Sequence, residues 1–290
     1  MSTVASPGRP SARLRPLRAP RAPQRPGMLL ATLALVVIAL VALAPGLFTS
    51  QSPTGVRITD VLQPPGTAHW FGTDQLGRDV FARVLYGARP SVLVGLGSTA
   101  IALAGGTVMG LAAALGGRWG DWAVMRFADV VLALPPLLLA LLAVVILGTG
   151  ELNLMFAVAI AFIPGYARIV RAEALVVVRS GYVEAAVGLG LRRSVLIVRH
   201  VLPNALGPLL VLGTVGIGMA MLSASSLSFL GLGVQPPVPE WGALLSGGRD
   251  FFQSAWWLGV FPGVAVTVCV ITMNVVGRYG QERFTKRSTR

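Results

Sequence analysis

Residues 91–115 read SVLVGLGSTAIALAGGTVMGLAAAL, an unbroken run without a single charged side chain. A helix rises about 1.5 Å per residue, so a run of this length reaches across a hydrocarbon layer of ~30 Å. Ala102, Gly106 and Gly110 recur at a spacing of four. That spacing places them on one face, where small residues let a second helix come close. The run therefore reads as a membrane helix packed in a bundle.

Five further apolar runs flank it, at about 28–48, 122–147, 153–171, 207–230 and 256–277. The chain has 290 residues, 54% hydrophobic and only 12% charged, with mean hydropathy +0.73. A soluble domain carries about 25% charged residues, so composition agrees with the membrane class. The expected fold is all-α: a polytopic membrane bundle of six transmembrane helices. Residues 1–27, with Arg9, Arg13, Arg15, Arg18, Arg21 and Arg25 and no acid, read as a disordered basic tail. A signal peptide is the rival for this start, but 28–48 is longer than the 7–15 residues of a signal-peptide core. It reads as an uncleaved first span. Residues 49–90 then form an extracytoplasmic segment, 91–280 a core of five helices, and 281–290 a second basic tail.

Charge sets the orientation. With both termini in the cytoplasm, nineteen of the 24 Arg and Lys residues fall on the inner side and five on the outer: Arg57, Arg78, Arg83, Arg89 and Arg249. Cytoplasmic loops of membrane proteins are enriched in such residues. This distribution explains the net charge of +13 without nucleic acid. Trp119, Trp122, Trp241, Trp256 and Trp257 lie near predicted span ends, where an amphipathic ring sits well. The third to sixth runs carry Pro135-Pro136, Pro164-Gly165, Gly207-Pro208 and Pro262-Gly263. Proline kinks a helix, and such breaks predict either a bundle around a pathway or ordinary dense packing.

Several chemistries are excluded. Cys269 is the one cysteine, and His69 and His200 are the only histidines, too few for a cysteine/histidine metal cluster. Lys286 is the single lysine and follows Phe284-Thr285, so the Gly-Lys-Ser/Thr of a phosphate-binding loop is absent. No nucleophile–base pair is apparent, and the chain alone is expected to have no catalytic activity. Gly95-Leu96-Gly97-Ser98-Thr99-Ala100 matches a dinucleotide fingerprint, but it lies within an apolar span and reads as chance. Asp129 is read either as a functional intramembrane acid or as a local partner of Arg126.

Residues 172–206 form a predicted cytoplasmic segment longer than a connector needs. Its centre reads Arg179-Ser180-Gly181-Tyr182-Val183-Glu184-Ala185-Ala186-Val187-Gly188-Leu189-Gly190. Ser180 can cap a short helix, Glu184 suits the positive end of its dipole, and Gly190 can end it in the left-handed region. Ala185 and Ala186 leave a low surface on which another protein can close. The helix is either a lever for a partner or a surface helix without one.

Glu184-Ala185-Ala186, then Gly190, then Arg199-His200-Val201-Leu202-Pro203-Asn204 resembles the EAA loop of binding-protein-dependent importer permeases. His200, in the place of an aliphatic residue, resembles the dipeptide/oligopeptide/nickel branch. Phe71-Gly72-Thr73-Asp74-Gln75-Leu76-Gly77-Arg78-Asp79 and Ser226-Leu227-Ser228-Phe229-Leu230-Gly231-Leu232-Gly233 are similar to two further stretches of the C-type permease of that branch. The resemblance covers about residues 64–280. Ala224 departs from it, standing where the family often has glutamate.

The resemblance implies a MetI-like ATP-binding-cassette importer permease fold. It implies that Tyr182, Glu184, Ala185, Ala186, Gly190, His200, Leu202 and Pro203 form the coupling segment that docks in a groove of the ATPase. The implied partners are a second homologous permease, two ATP-binding domains on one chain or two, and an extracytoplasmic substrate-binding protein. Membrane lipid surrounds the bundle, and nucleic acid plays no part. ATP and Mg belong to the partner ATPases, and this chain is expected to hold no cofactor. The implied cargo is a short peptide, with nickel or haem as alternatives. An ATP-independent secondary transporter is the competing class, for which Asp129 is nearly the only candidate coupling residue.

Overall fold

The computed structural model describes residues 26–190 and 192–288. The expected tail at 1–27 therefore lies almost wholly outside the described residues. Among the described residues the regular structure is helical, with one isolated bridge between Thr73 and Asp79.

Ten helices follow in order: α1 (Pro26–Leu43), α2 (Val80–Leu115), α3 (Gly117–Leu132), α4 (Pro136–Leu147), α5 (Glu151–Val178), α6 (Gly181–Gly188), α7 (Arg193–Leu196), α8 (Leu202–Phe229), α9 (Trp241–Gly248) and α10 (Trp257–Ser288). The helices α2, α5, α8 and α10 are each long and apolar enough to cross a membrane. The α1 helix is apolar but shorter, and α3 and α4 form a pair bent by 93°.

That bend revises the expected straight span at 122–147. Pro135 precedes Pro136 and takes ψ 131, outside the helical region, as a residue before proline must. Two consecutive prolines also remove two consecutive helix donors. The single prolines behave differently. Helices α2, α5, α8 and α10 run through Pro90, Pro164, Pro208 and Pro262 without a break. One missing donor is tolerated where the turns on either side stay packed.

The small-residue face of α2 does what its spacing predicts. Ala102, Gly106 and Gly110 are buried, and α5 packs along them. A Cβ on Gly106 would lie 2.5 Å from the Tyr166 Cβ, and one on Gly110 would lie 2.5 Å from the Ala167 carbonyl oxygen. Both helices can therefore approach only because these positions lack side chains. Gly95 and Gly97 serve the same purpose, against Met221 and Met155.

Among the described residues, four buried clusters organise the bundle, and two of them join the most helices. Val94, Val144, Leu154, Val158 and Leu227 join α2, α4, α5 and α8. Ala42, Ala88, Met221, Trp241 and Cys269 join α1, α2, α8, α9 and α10. Ala224 belongs to the first cluster and is 3% exposed, so the residue in the place of the family's glutamate is a packing residue.

Candidate functional site

The connection from α5 to α8 brings the predicted coupling residues together. Helix α5 closes at Arg179, whose backbone N–H donates to the Leu175 carbonyl at 3.2 Å. Ser180 does not cap α6 through its side chain as expected: its Oγ donates backward to the Val177 carbonyl and so finishes α5. The N–H of Val183 bonds instead to the Ser180 carbonyl at 3.0 Å.

Helix α6 is held by its apolar residue. Val183 is 1% exposed, whereas Tyr182 and Ala185 are exposed and Leu189 is 88% exposed. Glu184 and Ala186 lie within α6, and their side chains are outside the described set. Gly190 follows at φ +82, the left-handed conformation that its position after the helix predicts.

After α7 the backbone widens into a π-turn at Ile197–Val201, which holds His200. The N–H of Leu202 reaches back five residues to the Ile197 carbonyl. Pro203 comes next and has no N–H to offer. Widening the turn immediately before it relieves the clash that a proline ring makes with the carbonyl four residues earlier. Leu202 and Pro203 then open α8.

Asn204 ties the segment together. Its Nδ2 donates to the His200 carbonyl at 2.7 Å and to the Tyr182 hydroxyl at 3.3 Å. The Tyr182 and His200 rings lie 6.0 Å apart. Two residues of the predicted set thus meet across α6 and the π-turn, through an asparagine that was not singled out. Val183, Leu196 and Val201 were also missed. All three are buried and anchor the segment. Their sequence signal is apolar character alone.

A second cluster stands just upstream. Arg171 pairs with Asp121 through two N–H groups, and Arg168 pairs with Asp129. The expected Asp129–Arg126 pair is replaced by this one across helices. The two pairs fasten α3 to α5 a few residues before α5 ends. They are half-exposed, so they fix geometry more than they add stability.

The other feature is an open groove of about 450 Å³ between α8 and α10. Leu222, Ser226, Phe229, Val266 and Thr267 line it. Among the described residues no group of His, Cys, Asp and Glu is arranged to hold a metal ion.

Comparison with known proteins was made against this geometry. Residues 106–290 match the family described as the binding-protein-dependent transport system inner membrane component. The dipeptide transport system permease protein DppC of Alkalihalophilus pseudofirmus is 42% identical over 86% of this chain and 83% of its own. The probable D,D-dipeptide transport system permease protein DdpC of Escherichia coli is 42% identical over 85% of this chain and 83% of its own. The glutathione transport system permease protein GsiD of Pectobacterium atrosepticum is 42% identical over 73% of this chain and 71% of its own.

Proposed function

We propose that this chain, which belongs to the family of binding-protein-dependent transport inner membrane components, carries short peptides across the membrane as one permease subunit of an ATP-binding-cassette importer. The peptide cargo is supported by likeness, over most of the chain, to permeases named for dipeptides and glutathione.

The chain supplies half of the pathway and a second, similar permease the other half. The groove between α8 and α10, with Ser226 and Thr267 on its wall, is the face we assign to that pathway. Two ATP-binding domains sit beneath it and a substrate-binding protein above. Both termini lie in the cytoplasm, and the apolar runs make six spans, with α3 and α4 together crossing once. ATP is bound and hydrolysed by the partners.

Coupling follows from the α5–α8 connection. Its exposed face gives a partner a surface to hold, while Val183 and Val201 fasten it to the bundle. A displacement of α6 is passed directly to α5, and to α8 through α7, the π-turn and the Asn204–Tyr182 contact. The ATPases shift the inward–outward equilibrium only by the difference in their affinity for the two states, and the coupling segment is where that difference is delivered.

The test is uptake of a labelled tripeptide by cells lacking this chain, with and without a restored copy. The intact chain restores uptake. Glu184→Lys inserts normally in the membrane and leaves uptake at least tenfold lower, because a cation replaces an anion within the segment assigned to docking. Normal uptake by Glu184→Lys removes the coupling role from α6. Uptake unaffected by loss of the chain removes the peptide cargo, and nickel and haem uptake are then measured in the same strains.

A further inference from the structure

At the end of the bundle opposite α6, residues 71–83 fold into a compact turn on the α2 N-terminus. Asp74 is the acceptor at its centre. Its Oδ1 accepts the backbone N–H groups of Leu76 at 2.8 Å and Arg78 at 3.0 Å. Its Oδ2 accepts Arg78 Nε at 2.7 Å and is ion-paired with Arg83 Nε at 3.5 Å. A carboxylate offers about four acceptor positions; these hydrogen bonds take three of them, and Arg83 faces the fourth as an ion pair. Arg83 is 5% exposed. Its Nη1 donates to the Pro53 carbonyl at 2.9 Å, and its buried Nε has no hydrogen-bond acceptor.

The neighbouring acids are committed elsewhere. Asp79 holds the Ala82 N–H and His69, and Glu240 holds Gly242, Ala243 and Ser91. Asp74, Arg78 and Arg83 all line one cavity of about 80 Å³. Its walls include Val80, Val238, Leu244, Leu258 and Pro262, with Gln75 beside them. Among its described lining residues are two guanidinium groups and one carboxylate. The two guanidinium groups share that one carboxylate, so the cavity lining keeps one positive charge in excess, and an anion entering the cavity balances it.

We propose that this cavity binds a carboxylate borne on an apolar group, with Arg83 as its counter-ion. Under the peptide reading above, on which only the source of the ligand rests, that group is the C-terminal residue of the cargo. The apolar walls suit its side chain, and the size of the cavity admits one residue. Arg83 is thereby a specificity residue for free-acid peptides.

The test uses the purified importer complex without its binding protein, with N-acetyl-leucine and N-acetyl-leucinamide as probes. Titration calorimetry gives the free acid at least tenfold tighter than the amide, the span expected of a charge-assisted hydrogen bond. Arg83→Gln abolishes that ratio. Val238→Trp, which adds bulk to the cavity lining at a residue outside the ion cluster, abolishes binding of both probes. Equal affinity for acid and amide, no binding of either, or an acid preference that survives both substitutions overturns the proposal. If acid binding holds while labelled tripeptide uptake fails, the peptide reading falls and the carboxylate site stands.

Discussion

The two ends of this bundle are built on opposite plans. At the α2 N-terminus, Thr73, Asp74, Arg78, Asp79 and Arg83 are each less than a tenth exposed. Asp79 caps α2, and Trp257 Nε1 donates to the Thr73 carbonyl at 3.0 Å, which locks the start of α10 to the same turn. At the α6 end, an eight-residue helix is joined to the bundle by Val183 and by one asparagine contact, with Tyr182, Ala185 and Leu189 facing outward. One end stores its polar groups inside a closed network. The other leaves its surface for something else to cover. Under the proposed coupling role, a bundle gripped on one side and held in register on the other needs this asymmetry.

The largest expected effect is at the closed end. Asp74→Ala leaves Arg78 and Arg83 buried without their carboxylate and removes the acceptor for two backbone N–H groups. Breaking a buried pair in this way costs about 3–5 kcal/mol. The thermal midpoint of the detergent-purified complex falls accordingly, and less protein reaches the membrane. An unchanged midpoint would mean that the network is not closed, and the contrast between the two ends would go with it.

Val183→Ala tests the open end. Removing two methylene-sized groups from a side chain that is 1% exposed costs about 1–2 kcal/mol. Because α6 has few other anchors, that loss appears locally. Hydrogen exchange in 181–188 rises by about tenfold while exchange in α2 and α5 stays as it was. A uniform rise across the bundle would show that α6 is part of the rigid body and not a separately anchored lever.

How much of this was legible beforehand follows the same division. Helical runs could be placed because hydrocarbon demands long uncharged stretches, and that demand is written in every residue of 91–115. The α2–α5 contact was visible in Ala102, Gly106 and Gly110, since close approach requires missing side chains at a fixed spacing. The break at Pro135-Pro136 was noticed as a kink, yet its size, 93°, depends on how α4 packs on α5 and no local signal reports it. Asp129 illustrates the limit. Arg126 is nearest along the chain, but tertiary packing offered Arg168, 39 positions away, and a long-range partner has no local spacing to betray it. Ser180 failed as a cap for a related reason: the end of α5 lies as close as the start of α6, and its carbonyls compete for the same hydroxyl. The network around Asp74 was seen only as a motif. Which donors it takes, and that Arg78 and Arg83 share it, required coordinates.

The smallest effect expected isolates backbone geometry from contact. Gly190 sits at φ +82, and a Cβ built there meets nothing within 4 Å. Gly190→Ala therefore places its Cβ in open space, and its cost is the left-handed conformation, about 1–2 kcal/mol. Bundle stability does not set the outcome, because the exit from α6 is not buried. What changes is the direction in which the chain leaves α6 for α7. If the coupling segment works as a lever whose arm must point one way, tripeptide uptake falls severalfold while the melting midpoint and membrane level hold. If uptake is unchanged, the chain can leave α6 by another path, and the force is carried by the anchored contacts at Val183 and Asn204 alone.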